Sequence, residues 1–378
     1  MFCRIVIILT VFSFQAEAQT SALQLADSLY LHGNYTKAIE AYKTHSNQEE
    51  VYQNIAKAYI ALGNYDEALL NYESSLKAKP KDALTLFDYG KLLARVKKYK
   101  EALEVFYQLI NIDYKNPNYH YESGLVLQQL GDSTDQNRFH SAYNLDNTHQ
   151  KAIFQIAKFH LIKRHHSVVD KYVDIGLSSY ENNKELISLK AQNFYWKEDY
   201  EDATKWFEKL LALNESTQFV HEKLSFCYDR SYEREKAIEH QLIAVKFDPK
   251  DATNLFILGQ LYQKANDYEN AEKYYLEALK LMDAPLDAEY LKLATVYNLQ
   301  KKEKEAIDAF KKAIDENPEN ESAQFFLVLT LDKYYKDIDA RIKLFENYKE
   351  KFPKSPFISF AEQKLTELKE EKHMKSDD

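Results

Sequence analysis

The chain has 378 residues but only seven Gly and seven Pro, too few turn formers for a sandwich or barrel that reverses direction about every ten residues. Apolar residues make up 45% and charged residues 29%, with 29 Tyr and 21 Phe, which is ample material for a packed core and excludes a disordered chain. The net charge of −9 argues against a general nucleic-acid binder, and two Cys exclude a disulfide framework or a Cys-based zinc module.

In chain order, Met1–Arg4 is a short segment with one positive charge, and residues 5–14 form a nearly continuous apolar run. Ala16-Glu17-Ala18 then supplies an A-x-A cleavage pattern. This is the layout of a secretory signal peptide over residues 1–18. Its apolar run is shorter than the roughly 20 residues that span a bilayer, and no other stretch is apolar enough to do so. The expected compartment is therefore the periplasm or the exterior. Cleavage leaves one thiol, Cys227, among apolar neighbours in Leu224–Tyr228, where a small buried core residue is expected.

From residue 19 the chain repeats itself. Small residues recur at Ala26, Ala56, Gly90, Gly124, Ala157, Ala191, Ser225, Gly259 and Ala294, in steps of 30 to 35 residues, and the next step lands on Val328. Twelve residues beyond each lies a second series: Ala38, Ala68, Ala102, Gln136, Val169, Ala203, Ala237, Ala271, Ala306 and Ala340. An aromatic often follows four residues later, as at Tyr42, Tyr72, Phe106, Phe207, Tyr275 and Phe310. Within a unit the apolar positions fall at helical spacing, as in Tyr52, Ile55, Ala56 and Tyr59. Gly33, Gly63 and Gly131 suit helix C-termini, and Pro80, Pro249 and Pro318 sit where a second helix must stop. The pattern predicts helical hairpins that bury their apolar faces by stacking, the small residue letting two backbones approach and the aromatic filling the gap to its neighbour.

These residues resemble the tetratricopeptide repeat family: its small residue at Gly90 and Gly259, its turn at Gly63-Asn64-Tyr65, its second-helix Ala68 and its terminal Pro80. Residues 49–82 are the cleanest copy, with 252–286 and 287–320 close to it. The resemblance implies an all-α fold, an α-solenoid coiled as a right-handed superhelix of about ten helix-turn-helix repeats over residues 19–354. Repeats four (117–149) and five (150–183) depart from the pattern at Gln136, Val169 and Gly176, so an irregularity is expected near 130–175. A one-sided amphipathic helix over 355–372, with Phe357, Phe360, Ala361, Leu365 and Leu368 on its apolar stripe, is expected to cap the open end, and 373–378 to form a flexible tail.

No catalytic motif stands out: there is no Gly-rich phosphate loop, no G-x-S-x-G and no H-E-x-x-H. His140, His149, His160, His165 and His166 cluster in repeats four and five, but His160 and His165 are five apart rather than at the i, i+4 spacing of two ligands, so surface histidines are expected and no metal or cofactor is implied. What remains is a surface for holding other molecules. The resemblance implies that the first helices line a concave groove. There it places Phe87, Tyr121, Phe154 and Phe256 at one groove position and Lys57, Lys91 and Lys158 at another, with Arg95 nearby. The same resemblance implies no carboxylate clamp of the chaperone type, because Gln53, Phe87 and Tyr121 stand where its first Lys would be. The expected function is a non-enzymatic protein-interaction scaffold exported to a bacterial envelope, holding a protein or extended peptide, with the lysines suited to steering an acidic one. A soluble peptide- or glycan-capturing receptor is the alternative, and a metal-dependent enzyme built on the His group is a third reading.

Overall fold

The computed structural model describes residues 22–282 and 286–376, and every regular element among them is an α-helix. The expected leader, residues 1–18, lies outside the described residues. The helices group into two compact units that divide between Leu189 and Lys190, whereas the sequence pattern predicts one uninterrupted solenoid. In the first unit, α1 (22–31) pairs with α2 (Tyr35–Lys43), α3 (Gln48–Ala61) with α4 (Tyr65–Ala78), α5 (Ala83–Arg95) with α6 (Tyr99–Ile112), α7 (Pro117–Leu130) with α8 (Asp135–Leu145), and α9 (Gln150–Ile162) with α10 (His166–Ser179). The division falls within α11 (Lys184–Trp196). The second unit continues with α12 (Tyr200–Ala212), the pairs α13 (Gln218–Arg230) and α14 (Arg234–Phe247), α15 (Ala252–Lys264) and α16 (Tyr268–Leu279), α17 (Asp287–Leu299) and α18 (Glu303–Glu316), α19 (Glu321–Tyr334) and α20 (Ile338–Lys351), and ends in α21 (Ile358–Ser376). Each unit is an α-solenoid of stacked hairpins, with helix boundaries in phase with the small-residue series.

Side chains fix the helix starts. Asp82, Asn116, Asp251 and Asn320 cap first helices, and Asn64, Asp199 and Asp267 cap second helices, each oxygen accepting from a backbone N–H in the first turn. The turn inside each hairpin except α19–α20 holds one left-handed residue. Gly33, Gly63 and Gly131 take it at φ +71° to +76°, as the sequence predicts. The equivalent position in six other hairpins is held by Lys97, Arg164, Glu198, Tyr232, Asn266 and Lys301 at φ +60° to +64°, where a Cβ costs strain.

The two repeating positions meet inside each hairpin. The ring of Phe106 lies on Gly90, that of Phe139 on Gly124 and that of Tyr275 on Gly259, so closely that a methyl added to Gly259 would stand 2.7 Å from the Tyr275 ring. These rings, with Tyr72, Phe207 and Phe310, are fully buried. The aromatic thus closes its own hairpin before it meets the next, where the sequence pattern assigned it to the joint between neighbours. Each such ring contributes on the order of 2–3 kcal/mol through burial.

The departures in repeats four and five have local causes. α8 begins late, its Gln136 is only partly buried, and Phe139 rather than a residue four beyond the Ala position reaches Gly124. In α10, Val169 is fully buried and Gly176 has no room for a Cβ, because the Leu186 side chain of α11 occupies that space. At the C-terminal end, Phe357 stacks on Phe325 of α19 at 4.4 Å, while Ala361 and Leu368 are buried, as a capping helix requires. α21 runs to Ser376, past the expected limit at 372, because Glu371 and Lys372 of its last turns pair with Arg341 and Asp339 of α20.

Two substitutions of opposite sign test this geometry. Gly259→Ala pushes a methyl into the Tyr275 ring and is expected to cost about 1–3 kcal/mol. Tyr232→Gly, at an exposed turn position with φ +62°, is expected to stabilise by about 0.5–1 kcal/mol. Urea midpoints of the two variants check both signs.

Candidate functional site

In the first unit, side chains link the first helices of successive hairpins. Gln53 of α3 donates to Thr85 of α5 at 2.9 Å, and Lys57 of α3 pairs with Asp88 of α5 at 3.6 Å. The ring of Phe87 on α5 lies 5.8 Å from Tyr119 on α7. These contacts join the first helices α3, α5 and α7 side by side, and the residues expected to line a groove are not equally free. Phe87 and Phe154 are half-buried, each with a lysine ammonium over its ring, Lys91 at 5.4 Å and Lys158 at 5.8 Å. Arg95 lies 4.8 Å from the Tyr65 ring. Tyr121 is buried instead, wedged between Phe139 and His149, and this burial raises its phenol pKa. Lys57 is engaged by Asp88. Phe256 belongs to the second unit and packs on Tyr275 at 5.0 Å. The structure thus brings together Lys91 with Phe87 and Lys158 with Phe154, and gives Tyr121 to the core, while Phe256 is half-buried like Phe87 and Phe154. Below Lys91, burial raises the carboxyl pKa of Glu122 on α7, and the nearby Lys91 partly offsets this.

The second unit holds a cavity of about 700 Å³ between α13 and α15 that the repeat pattern did not single out. Ser225, Gln241 and Asn254 among its lining residues are almost fully buried. Gln241 donates to the Asn254 carbonyl at 3.1 Å and to its Oδ1 at 2.9 Å. Asn254 in turn donates to Glu222 at 2.7 Å and to Asp251 at 2.8 Å. Tyr195, Phe226, Lys223 and Arg230 stand among the remaining lining residues. The sequence did carry a signal for this place: four residues after Ala237, where most units have an aromatic, stands Gln241.

The histidines are not surface groups throughout. His149 caps α9, accepting from the Ala152 N–H at 3.1 Å, and His140 lies 3.4 Å from the Tyr172 hydroxyl. His160 and His165 face each other through Nδ1 at 3.1 Å. A second pair escaped the sequence pattern because its members sit nineteen residues apart on different helices: His221 of α13 and His240 of α14, Nδ1 to Nδ1 at 2.9 Å. His240 also stacks on Tyr228 at 5.4 Å. No group of three or more His, Cys, Asp or Glu placed to hold a metal ion occurs among the described residues. Cys227 is fully buried and free, and burial pushes its thiol up to about 11, far from a reactive thiolate at neutral pH. No helix among the described residues is long and apolar enough to cross a membrane.

The family model for the tetratricopeptide repeat matches residues 54–134 and 256–321. A TPR repeat-containing protein of Methanocaldococcus jannaschii is 23% identical over 75% of this chain and 55% of its own length. BBSome complex member BBS4 of Bos taurus is 24% identical over 68% of this chain and 50% of its own length. The chain therefore spans about half the length of these two relatives. A solved tetratricopeptide repeat protein from Parabacteroides merdae aligns with a TM-score of 0.44 at 15% identity, covering 75% of this chain and 98% of that one.

The histidines make stability depend on pH. Burial lowers the pKa of His140, His149, His160, His221 and His240, and the charge of a neighbouring histidine lowers it further for His160 and His221. The folded state favours the neutral rings, so their contribution is complete above the unfolded value of about 6.5 and is lost as pH falls through the lower folded values. The urea midpoint is expected to fall between pH 7.5 and pH 5, and His240→Phe, which keeps a ring against Tyr228, to reduce that fall.

Proposed function

The chain belongs to the tetratricopeptide repeat family, and on that premise we propose that it is a non-enzymatic protein-interaction scaffold exported to the bacterial envelope. There it holds an extended segment of a partner protein along its first helices. One observation carries this reading. On α5 and α9 the structure leaves exposed ammonium groups seated over half-buried rings, Lys91 over Phe87 and Lys158 over Phe154. The rings offer rigid apolar area at little entropic cost, and the cations steer an acidic partner on a chain whose net charge is −9. The N-terminal charged, apolar and A-x-A segments support export. The name of the bovine relative, a complex member, agrees with a scaffold role.

A soluble receptor that captures a peptide or glycan is the second reading, and the cavity of the second unit favours it. A scaffold retains a stoichiometric protein after crosslinking in its own cell envelope. A receptor for a small ligand instead shows ligand-dependent melting without one.

The test exchanges exposed charges only, so that folding is untouched. Lys91→Gln together with Lys158→Gln is expected to weaken retention of the crosslinked partner about ten-fold with no change in melting temperature. Retention that is indifferent to both substitutions, or no retained protein at all, overturns the reading.

A further inference from the structure

The α13–α14 hairpin breaks the rule that builds the others. In the remaining hairpins the small position of the first helix and the residue three to four beyond the Ala position of the second are apolar. Here they are Ser225 and Gln241. The exchange is costly. Gln241 is buried at an aromatic position and must be satisfied by Asn254, and the Ser225 hydroxyl, 1% exposed, has no hydrogen-bond partner. The residues that break the rule line the 700 Å³ cavity. A local rule broken at a cost, with no packing gain, marks a functional position.

The charges around the cavity are asymmetric in what they have left to bind. Its acids are occupied: Asp229 pairs with Lys264 at 2.5 Å, Glu222 accepts from Asn254 and Gln218, and Asp251 caps α15. Its other two cations are not. Arg230 lies 5.2 Å from the Phe226 ring and Lys223 lies 4.6 Å from the Tyr195 ring, and neither pairs with a carboxylate among the described residues. Two cations fixed on aromatic rings, beside a buried hydroxyl without a partner, make a receptor for an anion that also carries a polar group.

We propose that this cavity is a recognition pocket for an acidic side chain of an extended protein segment, with the carboxylate against Arg230 and Lys223 and an adjoining backbone group at the Ser225 hydroxyl. The proposal rests on the interaction reading above only in taking the occupant to be protein. Arg230 and Lys223 come from one helix of the second unit and are not the positions, Gln53, Phe87 and Tyr121, at which the family resemblance excluded a carboxylate clamp.

Random peptides of about a dozen residues, displayed on phage and selected on the full chain, provide the probe. Binding of the recovered peptides is then measured by fluorescence anisotropy. The recovered peptides are expected to share an Asp or Glu whose exchange for Asn or Gln weakens binding about ten-fold, and Arg230→Gln is expected to weaken it as much. The double variant Ser225→Ala, Gln241→Phe restores the apolar pair seen at Ala191 and Phe207. It is expected to abolish binding while melting no lower than the parent. Should that variant fail to fold, Arg230→Gln decides alone. No recovered binders, binders without an acidic requirement, or binders indifferent to Arg230→Gln and to the double variant overturn the pocket. Partner retention through the first unit would survive that result, so the two readings fail separately.

Discussion

The close approach of a ring to a residue with little or no side chain, repeated in hairpin after hairpin, is the constraint on which the rest of the structure depends. Phe106 on Gly90, Phe139 on Gly124 and Tyr275 on Gly259 bring paired helices together over a buried ring. One hairpin still leaves an apolar face open, and the next hairpin covers it. Polar bridges about one repeat apart then set the register between neighbours: Gln53 to Thr85, Gln150 to Asn183, Asn298 to Thr330. At the C-terminal end, Phe357, just before α21, and Leu368 of α21 cover the last hairpin.

A stack held this way has no single core for a change to destroy. Each hairpin answers mainly to its neighbours, so local departures are tolerated and can acquire a use. The late start of α8 is absorbed by moving the ring to Phe139. The α13–α14 hairpin goes further and replaces the ring with an amide. Its polar groups are then gathered through Gln241, Asn254 and Glu222 into one network beneath an open cavity. The His221–His240 contact sits in the same hairpin, whose helices also contribute Ser225 and Gln241 to the cavity.

The two units present different surfaces. In the first, the ammonium groups of Lys91 and Lys158 stand over half-buried rings on α5 and α9. In the second, cations stand beside a cavity with a polar floor, which suits one side chain at a time. Cys227 is buried with its thiol pKa raised, and burial lowers the pKa of His221 and of His240.

The sequence by itself determined the helical class, the hairpin register, the capping helix and the turn glycines. Each rests on local spacing, and a period of about 34 residues repeats the same local message many times. It also placed Phe87 with Lys91 and Phe154 with Lys158, because residues four apart on a helix share a face. Only the tertiary structure decided which groove residues stay accessible. Tyr121 and Phe87 hold equivalent repeat positions, yet Tyr121 is buried because His149 and Phe139 close over it from other helices. Tertiary packing likewise joined His221 to His240 and gathered Ser225, Gln241 and Asn254 around one cavity. Burial and pairing between helices depend on three-dimensional neighbours, and a repeat period says which positions are equivalent without saying what each one touches.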